Sequence, residues 1–255
     1  MASAIRIHQF PCLSDNYGVL LHSAATGETV SIDAPDASAV LAALAETGWT
    51  LTHILVTHHH ADHVQGMAEL KSRTGCKAIG PANPAIAGLD QTVADGDRIE
   101  LAGEEISVIA TPGHTLDMLN YHFPQSGLLF AGDTLFAMGC GRVFEGTAEM
   151  MWQSLEKLMQ LPADTKVYCG HEYTLANAKF AIGIDGSNAS LQARLEEVEA
   201  ARARNEPTIP TTIGLELETN PFLRAGDPTI RAGLGMQDAS DAAVFAEIRE
   251  RKNRG

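Results

Sequence analysis

Nowhere does this 255-residue chain approach the roughly 18 consecutive apolar residues that a membrane-spanning helix needs, so no helical membrane span is expected. Cysteine is scarce and scattered: Cys12, Cys76, Cys140 and Cys169 show no C-x-x-C spacing, which argues against a disulfide framework and against a Cys-based zinc knuckle. The four read as reduced thiols. The first residues, Met-Ala-Ser-Ala-Ile-Arg-Ile-His, lack the basic start and apolar run of a secretory leader, and a cytoplasmic location is expected. Positive charge is also in short supply. With 18 Lys and Arg against 32 Asp and Glu, the formal net charge of -14 repels a polyanion, so nucleic acid is not an expected partner. Internal repeats and low-complexity linkers are missing too, so a second module, if there is one, packs firmly on the first. What is left, 45% hydrophobic and 20% charged residues, is the composition of a globular protein, and 255 residues predict one large unit and one small one. A monomer is the expected state.

The first two thirds alternate short apolar runs with amphipathic stretches, which is α/β organisation. Strands are predicted at Ile5 to His8, Gly18 to His22, Thr29 to Ile32, His53 to Val56, Ile106 to Ala110, Leu119 to Phe123, Leu128 to Ala131 and Lys166 to Tyr168. Helices are predicted at Ala37 to Thr47, Gln65 to Ser72, Ala148 to Met159 and Leu175 to Ile182. Turn signals between the early strands, such as Ala25-Thr26-Gly27-Glu28, favour mixed or antiparallel pairing. From about Tyr173 the pattern becomes helix after helix: Ser190 to Ala203, an irregular and partly extended connection over Pro207 to Pro221, and a terminal helix over Ala239 to Arg251.

The densest chemistry lies in Thr57-His58-His59-His60-Ala61-Asp62-His63, four imidazoles and a carboxylate directly after the apolar run Ile54-Leu55-Val56. Imidazole and carboxylate are the ligands of zinc and similar first-row dications, and a strand end followed by a tight loop sends alternate side chains toward one point. The spacing suits two ions: His58 and His60 for a first, Asp62 and His63 for a second at the start of the next helix. Three more residues follow strand-like runs. His114 sits in Thr111-Pro112-Gly113-His114-Thr115, where Pro and Gly make a tight turn. Asp133 ends Leu128-Leu129-Phe130-Ala131-Gly132-Asp133, where a carboxylate leaving a buried strand needs a partner or a metal. His171 lies in Cys169-Gly170-His171-Glu172. Recurrence at successive strand ends points to one crevice at a sheet edge.

Thr57 to His63, Pro112-Gly113-His114-Thr115, Gly132-Asp133-Thr134 and Gly170-His171-Glu172-Tyr173 together resemble the ordered motif set of the metallo-β-lactamase fold superfamily. Within it the chain is similar to glyoxalase II, the hydroxyacylglutathione hydrolases, through Gly139-Cys140-Gly141-Arg142-Val143-Phe144-Glu145-Gly146-Thr147, Cys169 to Thr174 and Thr219-Asn220-Pro221-Phe222-Leu223-Arg224. The resemblance implies an α/β fold, an αββα sandwich over residues 1–173, and a C-terminal helical substrate-binding domain over 174–255. It implies two divalent metal ions, zinc first and iron or manganese as alternatives. His58, His60 and His114 would hold one, Asp62, His63 and His171 the other, and Asp133 would bridge. The implied reaction is hydrolysis of a glutathione thioester by a hydroxide shared between the ions, with Asp62 also orienting that nucleophile. Arg142, Phe144, Tyr173, Arg249 and Lys252 are the implied substrate contacts. Some members carry Lys in place of Arg142 and Tyr in place of Phe144, and many carry Gly-His where this chain has Asp117-Met118. His59 does not fit the ligand pattern and is given a structural role. The alternatives are a mononuclear iron enzyme like persulfide dioxygenase, which needs fewer ligands, and a metal-binding protein without turnover.

Overall fold

The computed structural model describes residues 5–255; the reading of the chain start rests in part on residues 1–4, which lie outside them. The chain folds as two compact units, one of residues up to Ala110 together with Asp117–Gly132, the other of Thr111–Leu116 together with Asp133–Gly255.

The first unit opens with a hairpin of β1 (Ile5–Cys12) and β2 (Asn16–Ser23), followed by β3 (Thr29–Ile32), β4 (His53–Leu55), β5 (Lys77–Pro81) and β6 (Gln91–Val93). These form one sheet in sequential order, antiparallel from β1 to β3 and parallel from β3 to β6, the mixed pairing that the sequence predicts. Parallel neighbours require crossovers. Helix α1 (Ala37–Thr47) makes the first, capped by the Asp36 side chain on the Ser38 and Ala39 amides and ended by Gly48 in the left-handed region. Short α2 (Ala61–Val64) and α3 (Met67–Thr74) make the second. Leu20, Val40, Ile54, Val56 and Leu70 bury together between helices and sheet. A second sheet runs antiparallel through β7 (Arg98–Leu101), β8 (Glu104–Ala110), β9 (Leu119–Phe123) and β10 (Leu128–Gly132).

The second unit holds the hairpin β11 (Leu135–Phe136) and β12 (Gly139–Cys140), α4 (Ala148–Met159), β13 (Lys166–Cys169), α5 (Thr174–Asp185), α6 (Ala189–Ala203), β14 (Thr211–Thr212), α7 (Ile213–Thr219), α8 (Pro228–Leu234) and α9 (Asp241–Arg254). Helices α5 and α6 pack through Ala178, Ala181, Leu191 and Val198. Three helices converge on the β11–β12 hairpin. The Asn177 amide donates to Ala137 O at 3.0 Å, the Asn220 amide to Gly139 O at 2.9 Å, and Arg249 Nη1 to Cys140 O at 3.0 Å. The motif Thr219-Asn220-Pro221 is thus a clamp on the hairpin that follows Asp133.

Pro207 to Pro221 is the main correction to the predicted elements. It contains α7, begun by the Thr212 hydroxyl accepting from the Leu215 amide. Strands β5, β6 and β7 and helix α8 are further additions. Among the described residues no helix is long and apolar enough to cross a membrane. All four cysteines are free and buried, and burial pushes the Cys140 thiol up to about 11.

Candidate metal centre

In the first unit, the parallel register pairs Ile32 with Leu55, so Asp33 and Thr57 leave adjacent strand ends. The Asp33 carboxylate accepts from the Thr57 amide (2.7 Å), the Thr57 hydroxyl (2.8 Å) and His63 Nδ1 (2.7 Å). A carboxylate can only accept, so His63 carries its proton on Nδ1 and turns the Nε2 lone pair away from Asp33. That Nε2 stands 3.5 Å from Asp62 Oδ2. His58 Nδ1 meets the Thr57 hydroxyl at 3.0 Å, and its Nε2 lies 3.1 Å from His60 Nδ1. Ligand atoms of His58 and His60, of His58 and His63, and of Asp62 and His63 fall within 4.8 Å of one another. The structure therefore gathers the four candidates of this motif. His59 turns elsewhere: its Nδ1 lies 3.0 Å from Asp117 Oδ1, whose other oxygen accepts from the Asn83 amide at 2.8 Å.

In the second unit, His114 Nε2 and His171 Nε2 stand 3.4 and 3.3 Å from one oxygen of Asp133, all three residues buried. His114 Nδ1 donates to the Arg142 carbonyl at 2.9 Å, so Nε2 is the ring nitrogen turned toward Asp133. The loops that carry His114 and Arg142 are further zipped by Phe144 N to His114 O (3.3 Å), Gly146 N to Gly113 O (3.2 Å) and Leu116 N to Glu145 Oε2 (2.8 Å). Gly141 makes the approach possible, because a Cβ there would overlap the Asp133 carbonyl oxygen.

Imidazoles that present Nε2 beside carboxylates are the donor set of divalent first-row cations, and the Nδ1 partners of His63 and His114 fit that use. The protein carries His and Asp groups suited to divalent metal ions.

The remaining candidates all lie in the second unit. Tyr173 stacks on His171 with ring planes 2° apart and centroids 4.8 Å apart, and Phe144, 61% exposed, lies 5.2 Å from the His114 ring. Arg249 is buried, with its guanidinium 5.2 Å over Phe222, and the Lys252 ammonium lies 4.8 Å over Phe180. Lys252 is pulled down to about 8, first by burial and then by the positive charges of Arg249 and Arg142. These three cations form a local positive cluster on an acidic protein. Arg251 and Arg254, by contrast, pair with Glu247 and Glu250 on the same helix. Sequence reasoning missed Asp33 and Asn16, whose amide donates to Asp62 Oδ2 at 3.0 Å. Neither stands in a ligand-like motif; the only signal for Asp33 is a carboxylate directly after the buried strand Thr29–Ile32.

Residues 24–171 match the family described as the metallo-beta-lactamase superfamily, and residues 172–255 match the hydroxyacylglutathione hydrolase C-terminus. A hydroxyacylglutathione hydrolase of Rhizobium meliloti (strain 1021) is 59% identical over 253 residues, covering 98% of this chain and 99% of that protein. Among solved structures, ETHE1 from Myxococcus xanthus superposes with a TM-score of 0.70 at 29% identity, covering 97% of this chain and 91% of that one. The BLEG-1 B3 metallo-beta-lactamase, at 22% identity and a TM-score of 0.65, covers 86% and 99% and shares the fold.

Proposed function

The chain belongs to the hydroxyacylglutathione hydrolases of the metallo-β-lactamase superfamily, and from that premise we propose that it hydrolyses S-(2-hydroxyacyl)glutathione, chiefly S-D-lactoylglutathione, to glutathione and D-lactate. This is the second step of the glyoxalase pathway, which detoxifies methylglyoxal. The observation that carries the reading is full-length likeness at 59% identity to a protein of that name.

His58, His60 and His114 would hold one ion and Asp62, His63 and His171 the other, with Asp133 available to both. Two ions are the proposed complement, zinc first, with iron or manganese suited to the same donors. When bound, the pair supplies a water activated near neutral pH and polarises a carbonyl. The chain's own residues do the rest. Asp62 accepts a hydrogen bond that orients the attacking water. Arg142, Arg249 and Lys252 take the carboxylates of the glutathione part, because cationic side chains grip carboxylates through charge-assisted hydrogen bonds. Tyr173 and Phe144 offer flat contact surface beside the reacting group. A thiolate leaves readily, so no strong general acid is needed.

We divide the work at Tyr173: residues 1–173 carry all seven metal ligands, and 174–255 supply Arg249 and Lys252. The matched ranges, 24–171 and 172–255, support that division. The working form is read as a cytoplasmic monomer, in keeping with a net charge of -14 that keeps copies apart. Loss of S-lactoylglutathione thioester absorbance in the presence of purified protein tests the activity. Turnover that stops on chelation supports the proposal, and an intact thioester with metal-loaded protein sinks it.

A further inference from the structure

We propose that Asn16 is a positioning residue that holds the Asp62 carboxylate in its metal-binding and water-orienting pose. The inference rests on the two-ion reading above and deepens it. Each histidine whose tautomer is fixed above has a partner behind its ring: Asp33 behind His63 and the Arg142 carbonyl behind His114. Asp62 is placed differently. It lies in α2, only four residues long, and its side chain is 40% exposed, so neither a long helix nor close packing sets its rotamer. Asn16 does. The β1–β2 hairpin pairs Asn16 with Cys12 and buries it to 5% exposure. Its amide nitrogen then donates to Asp62 Oδ2 at 3.0 Å and to the Asp62 carbonyl oxygen at 3.3 Å. Side chain and backbone of Asp62 are gripped by one group, and the gripped oxygen is the one 3.5 Å from His63 Nε2. Ligand groups must be held within about 0.5 Å of their working geometry, which a half-exposed aspartate does not achieve alone.

The test uses stripped full-length protein titrated with zinc against a chromophoric chelator, followed by kcat and KM on the thioester. Asn16→Asp is isosteric but sets carboxylate against carboxylate. It is expected to weaken one of two ions by about 10- to 100-fold while the other keeps its affinity. kcat falls with that ion, and KM stays within about twofold because the glutathione contacts lie elsewhere. Asn16→Ala removes the donor without adding charge and is expected to act in the same direction, less strongly. Asn16→Ser, a short donor, recovers part of the affinity. Variants that lose melting temperature but keep both affinities would make Asn16 a hairpin anchor only and overturn the proposal. Wild-type protein that takes up no zinc would overturn the two-ion reading and this inference with it.

Discussion

Replacing Asp33 by Asn changes the shape of one buried side chain hardly at all, and its consequences follow from counting donors. Asp33 has a φ of 57°, a left-handed conformation that Asn tolerates as well as Asp, so the backbone is not disturbed. Oδ1 accepts from the Thr57 amide, and Oδ2 accepts from the Thr57 hydroxyl and from His63 Nδ1. An amide can offer its oxygen to only one side. If the oxygen stays on the Thr57 amide, the NH2 faces His63 Nδ1, which must become an acceptor. The ring proton then moves to Nε2, and the lone pair beside Asp62 is lost. If the amide flips, His63 is served but the buried Thr57 N–H meets another donor, at a cost of about 1–3 kcal/mol. Asp33→Asn is therefore expected either to weaken metal binding by about 10- to 100-fold or to lose that stability, and urea unfolding of the stripped protein read beside a zinc competition titration separates the two. Stability within about 0.5 kcal/mol together with unchanged affinity would refute the reasoning.

Two further outcomes follow from the second unit. Lys252, at about 8, is charged below that pH and neutral above it, so KM for the glutathione thioester should rise as pH passes through about 8. A bound carboxylate favours the charged form, so binding takes up a proton in that window, and Lys252→Met should show a high KM with no such rise; a KM of wild type that is flat between about pH 7 and 10 contradicts the role. Gly141→Ala forces a Cβ into the Asp133 carbonyl and should cost about 3 kcal/mol or more in urea unfolding and loosen the His114–Arg142 contact. An alanine variant as stable as its parent would mean that this loop is not under that constraint.

The parts of the centre legible in sequence are those written in consecutive residues. Thr57 to His63 can be read because strand, loop and helix start follow within a few positions, and the structure gathers His58, His60, Asp62 and His63 there. Single candidates such as His114, Asp133 and His171 gain meaning only from their placement after apolar runs. What escapes is held across distance. Asp33 reaches Thr57 and His63, 24 and 30 residues away, through a parallel register that no local pattern announces. Asn16 reaches 46 residues to Asp62. Strand β5 hides because Gly80 and Pro81 carry low strand propensity, and β7, Arg-Ile-Glu-Leu, because half of it is charged. Prolines at 207, 210 and 221 suggest a loop and mask the Thr212 cap that starts α7.

The measurement closest to the central claim is metal reconstitution of the stripped protein, with zinc bound and thioester hydrolysed followed in the same titration. On the proposed assignment of His58, His60 and His114 to one ion and Asp62, His63 and His171 to the other, with Asp133 between them, hydrolysis of S-lactoylglutathione is expected to appear as two ions per chain are taken up. A protein that saturates with one iron and leaves the thioester intact would contradict it.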